Sequence, residues 1–233
     1  MAATLHLLCA GAAQGLVKAL QARWLSESGA VIDARFGAVG AMREALLAGE
    51  ACDVLVSTDK MNGELAAAGW LNGETRAPLG RVRTGIAVRR GEVRLDVSTP
   101  EALKAALLAA DAIYFPDAQR STAGIHFAGV MRELGIFETL EPRFRTYPNG
   151  ATAMRELAAH EAPRLIGCTQ VTEIMYTEGV ELVAALPAGF ELETVYTAAL
   201  SATASDPALA SRFIALLAGA QTRALREASG FEA

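Results

Sequence analysis

The stretch Ala112–Leu134, AIYFPDAQRSTAGIHFAGVMREL, contains the pattern on which the fold depends. A short apolar run typical of a buried strand is followed by small and polar residues, and apolar residues then recur at helical spacing. The same order of strand, loop and helix is repeated along the chain, as in LHLLC before GLVKALQARWLSESG and RLIGC before QVTEIMYTEG. This alternation predicts an α/β fold with mostly parallel sheets and helices on both sheet faces.

Two longer β-rich segments interrupt this alternation, RVRTGIAVRRG at residues 81–91 and LETVYTAAL at residues 192–200. If both segments cross between lobes, residues 1–83 and 200–233 form lobe 1, and residues 84–199 form lobe 2. Two lobes joined by two crossing strands have a ligand cleft between them and a hinge that can close on a guest. We therefore predict two α/β lobes with an interlobe cleft.

The composition excludes several classes of protein. The 233 residues carry a formal net charge of −5, and the 21 Lys and Arg residues are scattered, which argues against a nucleic-acid surface. No run of about 20 uninterrupted apolar residues occurs, so we predict no membrane insertion. Phosphate-loop, dinucleotide, nucleophile-elbow and zinc-protease motifs are absent from the sequence, and we predict no cofactor. The three cysteines are predicted to be buried hydrophobes, and the three histidines are too far apart to suggest a metal site.

Four strand-to-helix loops consist of small and polar residues and contain no Asp or Glu: residues 9–15, 36–42, 119–126 and 148–154. Ligands of open parallel sheets bind at such loops, and the N–H groups and dipole of a helix start favour an anion. We therefore predict an anion site formed by Ala12, Ala13, Gln14, Val39, Gly40, Arg120, Ser121, Thr122, Ala123, Gly124, Asn149, Gly150 and Gln170. The alternative is that the small residues serve packing and that Ser121 or Asn149 caps its own helix.

Several side chains near these loops allow more than one role. Arg120 could pair with a carboxylate or oxyanion, or be a solvated loop arginine. His126, about one turn into its helix, is interpreted as packed and bonded to the backbone rather than as a ligand contact. Arg35 lies beside the second loop, where a surface pair with Asp33 explains it equally well. Tyr147 could cover the guest with its ring or simply pack.

Segments along nearly the whole chain resemble the periplasmic molybdate-binding protein family. The resemblance is carried by LLCAGAAQGLVKAL, ARFGAVGAMREALLAGEACDVLVST, RTGIAVRRG, STAGIHFAGVMRELGI, HEAPRLIGCTQVTEI, GVELVAALP and ALREASGFE. Members of that family are solute-binding components of ABC transporters with the type II periplasmic fold. The resemblance implies two α/β lobes, two crossing strands and a tetrahedral oxyanion held by hydroxyls and backbone amides. We predict a monomer whose partners are a small anionic ligand and an ABC permease.

The chain departs from the family pattern at three positions. The resemblance implies a serine near Ala12, a serine near Val39 and a tyrosine at Gln170, whereas Ala123 and Gly150 would still offer backbone N–H groups. Because each lost hydroxyl donor costs roughly 1–3 kcal/mol in a buried site, we expect molybdate to bind weakly. A small anion of another kind, an oxyanion or an organic carboxylate, is the predicted ligand.

A second hypothesis is that the protein is an enzyme. Aconitate isomerase resembles the same family, and the alternative function is isomerisation of a small unsaturated polycarboxylate. Proton transfer in such a reaction would fall to His126, Glu173 or Tyr147. A third hypothesis is a cytoplasmic sensor that binds a metabolite and a protein partner. The location expected from the sequence is periplasmic if an export leader preceded Met1, and cytoplasmic if Met1 is the native start.

Overall fold

The computed structural model describes residues 3–233 and shows a mixed α/β fold. Its strands are β1 Thr4–Ala10, β2 Val31–Gly37, β3 Val54–Thr58, β4 Ala77–Arg89, β5 Ala112–Pro116, β6 Phe144–Tyr147, β7 Leu165–Gln170, β8 Val180–Ala185 and β9 Glu193–Leu200. Its helices are α1 Gln14–Ser28, α2 Val39–Leu47, α3 Asp59–Ala67, α4 Pro100–Ala109, α5 Thr122–Glu133, α6 Phe137–Leu140, α7 Gly150–Ala159, α8 Val171–Tyr176, α9 Pro207–Ala218 and α10 Arg223–Ala228.

The chain divides into two compact units. The first unit contains the residues up to Val82 together with Thr194–Ala233, and the second contains Arg83–Glu193. The chain therefore changes unit within β4 and again at the start of β9, the two segments that the sequence marked as β-rich.

The sheet of the first unit has the strand order β2-β1-β3-β9. β1 pairs in parallel with β2 and β3, whereas β9 runs antiparallel to β3. Because side chains alternate along a strand, each sheet face has its own core. Leu7 packs with Trp24 of α1 and Phe213 of α9 on one face, and Leu8 packs with Met42 of α2 on the other.

The sheet of the second unit has the strand order β8-β4-β7-β5-β6, in which β5 is parallel to its neighbours β6 and β7 and β4 is antiparallel to β7 and β8. Ile86 and Cys168 lie on one face, in the core that includes Phe127 of α5. Leu165 lies on the opposite face, with Met154 of α7. The helices α5 and α7 thus cover opposite faces of this sheet.

Local sequence features account for two of the helix ends in the described chain. Thr99 is the N-cap of α4, and Pro100 is its first residue. Gly135 directly follows the C-cap residue of α5 with a φ of 68°, the left-handed conformation that glycine adopts without a Cβ penalty.

The three cysteines are buried, as predicted. Burial raises the pKa of the Cys52 thiol to about 12, so this group stays protonated at neutral pH. Across residues 3–233, every helix is too short or too polar to cross a bilayer.

Candidate functional site

In the first unit, two of the four predicted loops start helices at the same edge of the sheet. β1 continues through a 3₁₀ turn, Gly11–Ala13, into α1, and β2 leads into α2 at Val39. The last residues of the two strands, Ala10 and Gly37, are register partners. Within residues 3–233, none of these starts has a side-chain cap. The backbone N–H groups at these helix starts, where the positive ends of the helix dipoles lie, are therefore not bonded by a side-chain cap.

Most of the residues in these two loops that we predicted to bind the ligand are buried. Ala12, Ala13 and Val39 are buried, whereas Gln14 and Gly40 are partly exposed. A polar residue that the sequence reading missed, Ser57, lies at the carboxyl end of the neighbouring strand β3. It is 1% exposed, and its hydroxyl is unpaired in the described part of the chain.

In the second unit, the start of α5 is packed tightly against the end of β5. A Cβ atom at Gly124 would overlap the carbonyl oxygens of Pro116 and Asp117, so only glycine permits this approach. The Asp117 carboxylate is engaged by loop amides, among them that of Arg120 at 3.0 Å. Ser121 is the buried N-cap, and its side chain makes no capping hydrogen bond within the described residues. The first turn of α5, Thr122 included, therefore begins without a side-chain cap.

The start of α7 differs, because Asn149 caps it. The Asn149 Oδ1 atom accepts a hydrogen bond from the Thr152 amide at 2.8 Å. The alternative role for Asn149, capping of its own helix, is confirmed.

A carboxylate of the protein, that of Glu173, also binds at the start of α7. The Glu173 carboxylate accepts a hydrogen bond from the Thr169 hydroxyl at 2.5 Å and from the backbone amides of Gly150, Ala151 and Gln170. Any Cβ at Gly150 would overlap this carboxylate. Burial raises the pKa of Glu173, and the hydrogen bonds offset only part of that effect. We predicted from the sequence that the Gly150 amide binds the ligand. In the structure this amide donates to a carboxylate of the protein itself.

Gln170 and Thr84 form a polar row on the other face of the same sheet. They are directly opposite each other across β4 and β7, one pair beyond Ile86 and Cys168. Residues opposite each other in an antiparallel pair share a sheet face, so this row lies on the face that α5 covers. Gln170 is 3% exposed and Thr84 is 1% exposed. Among residues 3–233, the Gln170 Oε1 and Nε2 atoms and the Thr84 hydroxyl have no hydrogen-bond partner.

Such orphaned polar atoms are uncommon in folded proteins and call for an explanation by water, an ion or a ligand. Thr172, the second residue of α8, also has a buried hydroxyl that is unpaired within the described range. The sequence singled out Gln170 but missed Thr84 and Thr172, since strand threonines are usually packing residues. Only the pairing of β4 with β7 brings Thr84 to Gln170.

The other predicted side chains have defined surroundings. His126 Nε2 lies 2.8 Å from the Phe190 carbonyl oxygen, so its interpretation as a backbone-bonded residue is confirmed. The ring of Tyr147 stacks on that of Tyr114, with 6.1 Å between centroids. Arg120 is exposed.

Arg35 corrects one expectation. It forms an ion pair with Glu50 rather than with Asp33. Glu50 lies between α2 and β3, and its ion pair connects this segment to the edge strand β2, which carries Arg35.

Residues 5–232 match the family described as bacterial extracellular solute-binding proteins. The chain belongs to this family. Aconitate isomerase from a Pseudomonas species is similar to this chain: the two are 23% identical over 235 residues, which cover 98% of this chain and 87% of that protein.

Solved structures of a molybdate-binding protein and a sulfate-binding protein share the fold of this chain. The periplasmic molybdate-binding protein of Azotobacter vinelandii superposes with a TM-score of 0.80 at 17% identity, covering 98% of this chain and 99% of that one. The sulfate-binding protein SubI from Mycobacterium tuberculosis superposes with a TM-score of 0.74 at 16% identity, covering 98% and 86%. At such identities the likeness shows the fold alone, so the ligand must be argued from the residues themselves.

Proposed function

We propose that this solute-binding protein is an ABC-transporter component that closes on a small anion, either an oxyanion or an organic carboxylate. One observation carries the proposal. The uncapped start of α5 and the orphaned polar atoms of Gln170 and Thr84 belong to the same sheet face of the second unit. A helix start favours negative charge, and buried amide and hydroxyl groups supply the remaining hydrogen bonds.

Molybdate is not the ligand that these residues favour. Ala12 and Val39 are buried apolar side chains, and Gln170 replaces the tyrosine hydroxyl that the resemblance implies. A bare tetrahedral oxyanion would therefore lose donors worth roughly 1–3 kcal/mol each. The proposed ligand accordingly includes organic carboxylates, for which Arg120 would supply a planar, charged partner.

The proposed setting follows from the family. We propose a periplasmic monomer whose partner is an ABC permease, in line with the extracellular description of the family.

Ligand-induced stabilisation tests the proposal directly. Thermal unfolding is followed with molybdate, tungstate, sulfate, citrate and the aconitate isomers. An anion at 100 times its dissociation constant should add about 2.7 kcal/mol to the free energy of unfolding. No stabilisation by any of these anions would contradict the proposal.

A charge placed at the start of α5 makes the test specific. Ser121→Asp supplies a helix cap and a negative charge together, so the ligand-free protein should keep or gain stability while the anion-induced shift disappears. The matched control is Thr99→Asp at the N-cap of α4, which should leave the shift unchanged. An undiminished shift in Ser121→Asp would exclude α5 from the site.

A second candidate function is the isomerisation of a small unsaturated polycarboxylate. It is favoured by the aconitate isomerase that aligns over 98% of this chain. Of the predicted proton carriers, Glu173 is a buried carboxylate whose pKa burial raises, and to act it would have to leave its hydrogen bond with the Thr169 hydroxyl. His126 is a weaker proton carrier, because its Nε2 atom is engaged by the Phe190 carbonyl. If the protein is an isomerase, the ultraviolet absorbance of trans-aconitate should change with time, and Glu173→Gln should abolish the change. A constant absorbance with the wild-type protein would remove this candidate.

A further inference from the structure

The side chain of Gln170 carries information about the ligand, provided that the proposed anion site is correct. An amide has a carbonyl oxygen that only accepts hydrogen bonds and a nitrogen that only donates them. Both atoms of Gln170 are buried without a partner within residues 3–233. Whichever way the amide is oriented, one atom requires a donor from outside the protein and the other requires an acceptor.

The protein groups around Gln170 do not meet this requirement themselves. Its cross-strand neighbour Thr84 has a hydroxyl that is itself unpaired in the described chain. The Thr169 hydroxyl and the Glu173 carboxylate belong to the opposite face, where they bond to each other. The acceptor of Gln170 therefore remains available on the α5 face of the sheet.

We propose that the ligand bears at least one O–H donor in addition to its anionic oxygens, and that a hydroxycarboxylate is its chemical class. A hydroxyl group would donate to Gln170 Oε1, while a carboxylate would accept from Gln170 Nε2, from Thr84 and from the amides at the start of α5. A fully deprotonated oxyanion such as molybdate or sulfate has only lone pairs. Beside the Gln170 carbonyl oxygen it would leave that atom unpaired and add repulsion between lone pairs.

The proposed site would reject acids that lack a hydroxyl group as well as bind those that have one. A site whose buried polar groups are matched by a substrate hydroxyl rejects the analogue that lacks it, because those groups are then left unpaired. The same logic makes the α7 start a poor competitor for the anion, since Asn149 and Glu173 already use it.

Matched pairs of acids test the inference by isothermal titration calorimetry. Malate is compared with succinate, and citrate with tricarballylate, because each pair differs by one hydroxyl group. Phosphate is compared with sulfate near neutral pH, where phosphate retains an O–H. The wild-type protein should bind the hydroxyl-bearing member of at least one pair about tenfold more tightly or better.

The variant Gln170→Met keeps the side-chain size and removes both the donor and the acceptor. It should reduce the preference to less than about threefold, mainly by weakening the hydroxyl-bearing acid. Thermal unfolding of the ligand-free variant shows whether it is folded. The wild-type comparison decides the question even if the variant does not fold.

The outcomes separate this inference from the proposed function. Anion binding without preference for the hydroxyl-bearing acids, or a preference that survives in folded Gln170→Met, would overturn the inference and leave the anion site standing. A failure of every anion to bind would overturn both.

Discussion

At the scale of single residues, two threonines in one sheet have opposite environments. The Thr84 hydroxyl is buried without a partner in the described chain, whereas the Thr169 hydroxyl donates to Glu173 at 2.5 Å. An unmade hydrogen bond to a buried group costs free energy that an apolar side chain of the same shape would not. A protein keeps such a residue at a cost in stability when its function uses the group.

This contrast predicts opposite effects of the same substitution. Thr84→Val should raise the free energy of unfolding of the ligand-free protein by about 1 kcal/mol, a rise in melting temperature of roughly 2–4 °C, because it removes an unpaired hydroxyl. Thr169→Val should lower the free energy of unfolding by about 1–3 kcal/mol, because it removes a donor from a buried carboxylate. Thermal unfolding of both variants without ligand measures the difference.

Each threonine serves as the control for the other, since the covalent change is identical. Destabilisation of equal size in both variants would show that the Thr84 hydroxyl has a partner in solution. Thr84 would then no longer support a ligand site on this face of the sheet. A stabilised Thr84→Val protein that also binds the anion more weakly would identify the hydroxyl as a ligand contact.

At the scale of elements, one carboxylate joins segments that are distant in sequence. Asp53, just before β3, accepts hydrogen bonds from the His6 amide of β1 at 2.8 Å and from the Ser205 amide and hydroxyl at 2.7 and 2.8 Å. Ser205 lies in the loop between β9 and α9. Asp53 therefore fixes the entry to the C-terminal helices against the central strand of the first unit.

The stability of the protein should depend on the ionisation of Asp53. Burial alone would raise its pKa, but the hydrogen bonds from His6 and Ser205 outweigh burial and lower the pKa below the usual 3.8. A carboxyl group whose pKa is lowered by folding stabilises the fold above its unfolded pKa, and this contribution is lost as the pH falls through the folded value. Acidification below about pH 3.8 should therefore remove it.

Asp53→Asn tests this dependence. The amide nitrogen of asparagine would face an N–H donor, so the variant should be less stable by about 1–3 kcal/mol near pH 7. The difference from the wild type should shrink as the pH falls below about 3.8, because the wild type then loses its charge. Urea unfolding at a series of pH values measures both effects, with the exposed Asp33→Asn as control. A difference that is independent of pH would show that ionised Asp53 is not the stabilising form.

The elements themselves were predictable because their signals are local. Thr99 and Pro100 mark a helix start within two residues, and the alternation of strand-like and helical periods needs windows shorter than one element. The Glu173 contact was not predictable, because in sequence this residue is only an acid in the first turn of α8. Its bond to Gly150 depends on how α8 packs on α7. The alignment of Thr84 with Gln170 depends on strand register, which periodicity does not specify.

At the scale of the whole molecule, a multivalent anion must approach a protein of like charge. The formal net charge is −5, and several arginines are already neutralised by neighbours, as in the pairs Arg35–Glu50 and Arg164–Asp111. In the proposed site the attraction comes mainly from hydrogen-bond donors and helix dipoles, whose effect is confined to short range, with Arg120 as a cationic side chain at its edge. A long-range field would oppose association rather than steer it.

This balance predicts an unusual response to salt. Raising the KCl concentration from about 20 mM to about 300 mM should leave the affinity for citrate within about threefold and should not slow association, because screening weakens a repulsion. Calorimetric titration and stopped-flow mixing at the two concentrations measure these quantities, and Arg120→Ala separates the contribution of the loop arginine. A site built on clustered cations behaves in the opposite way, since salt screens its attraction. A tenfold or greater loss of citrate affinity at the higher concentration would therefore mean that positive side chains, and not helix starts and buried amides, hold the anion.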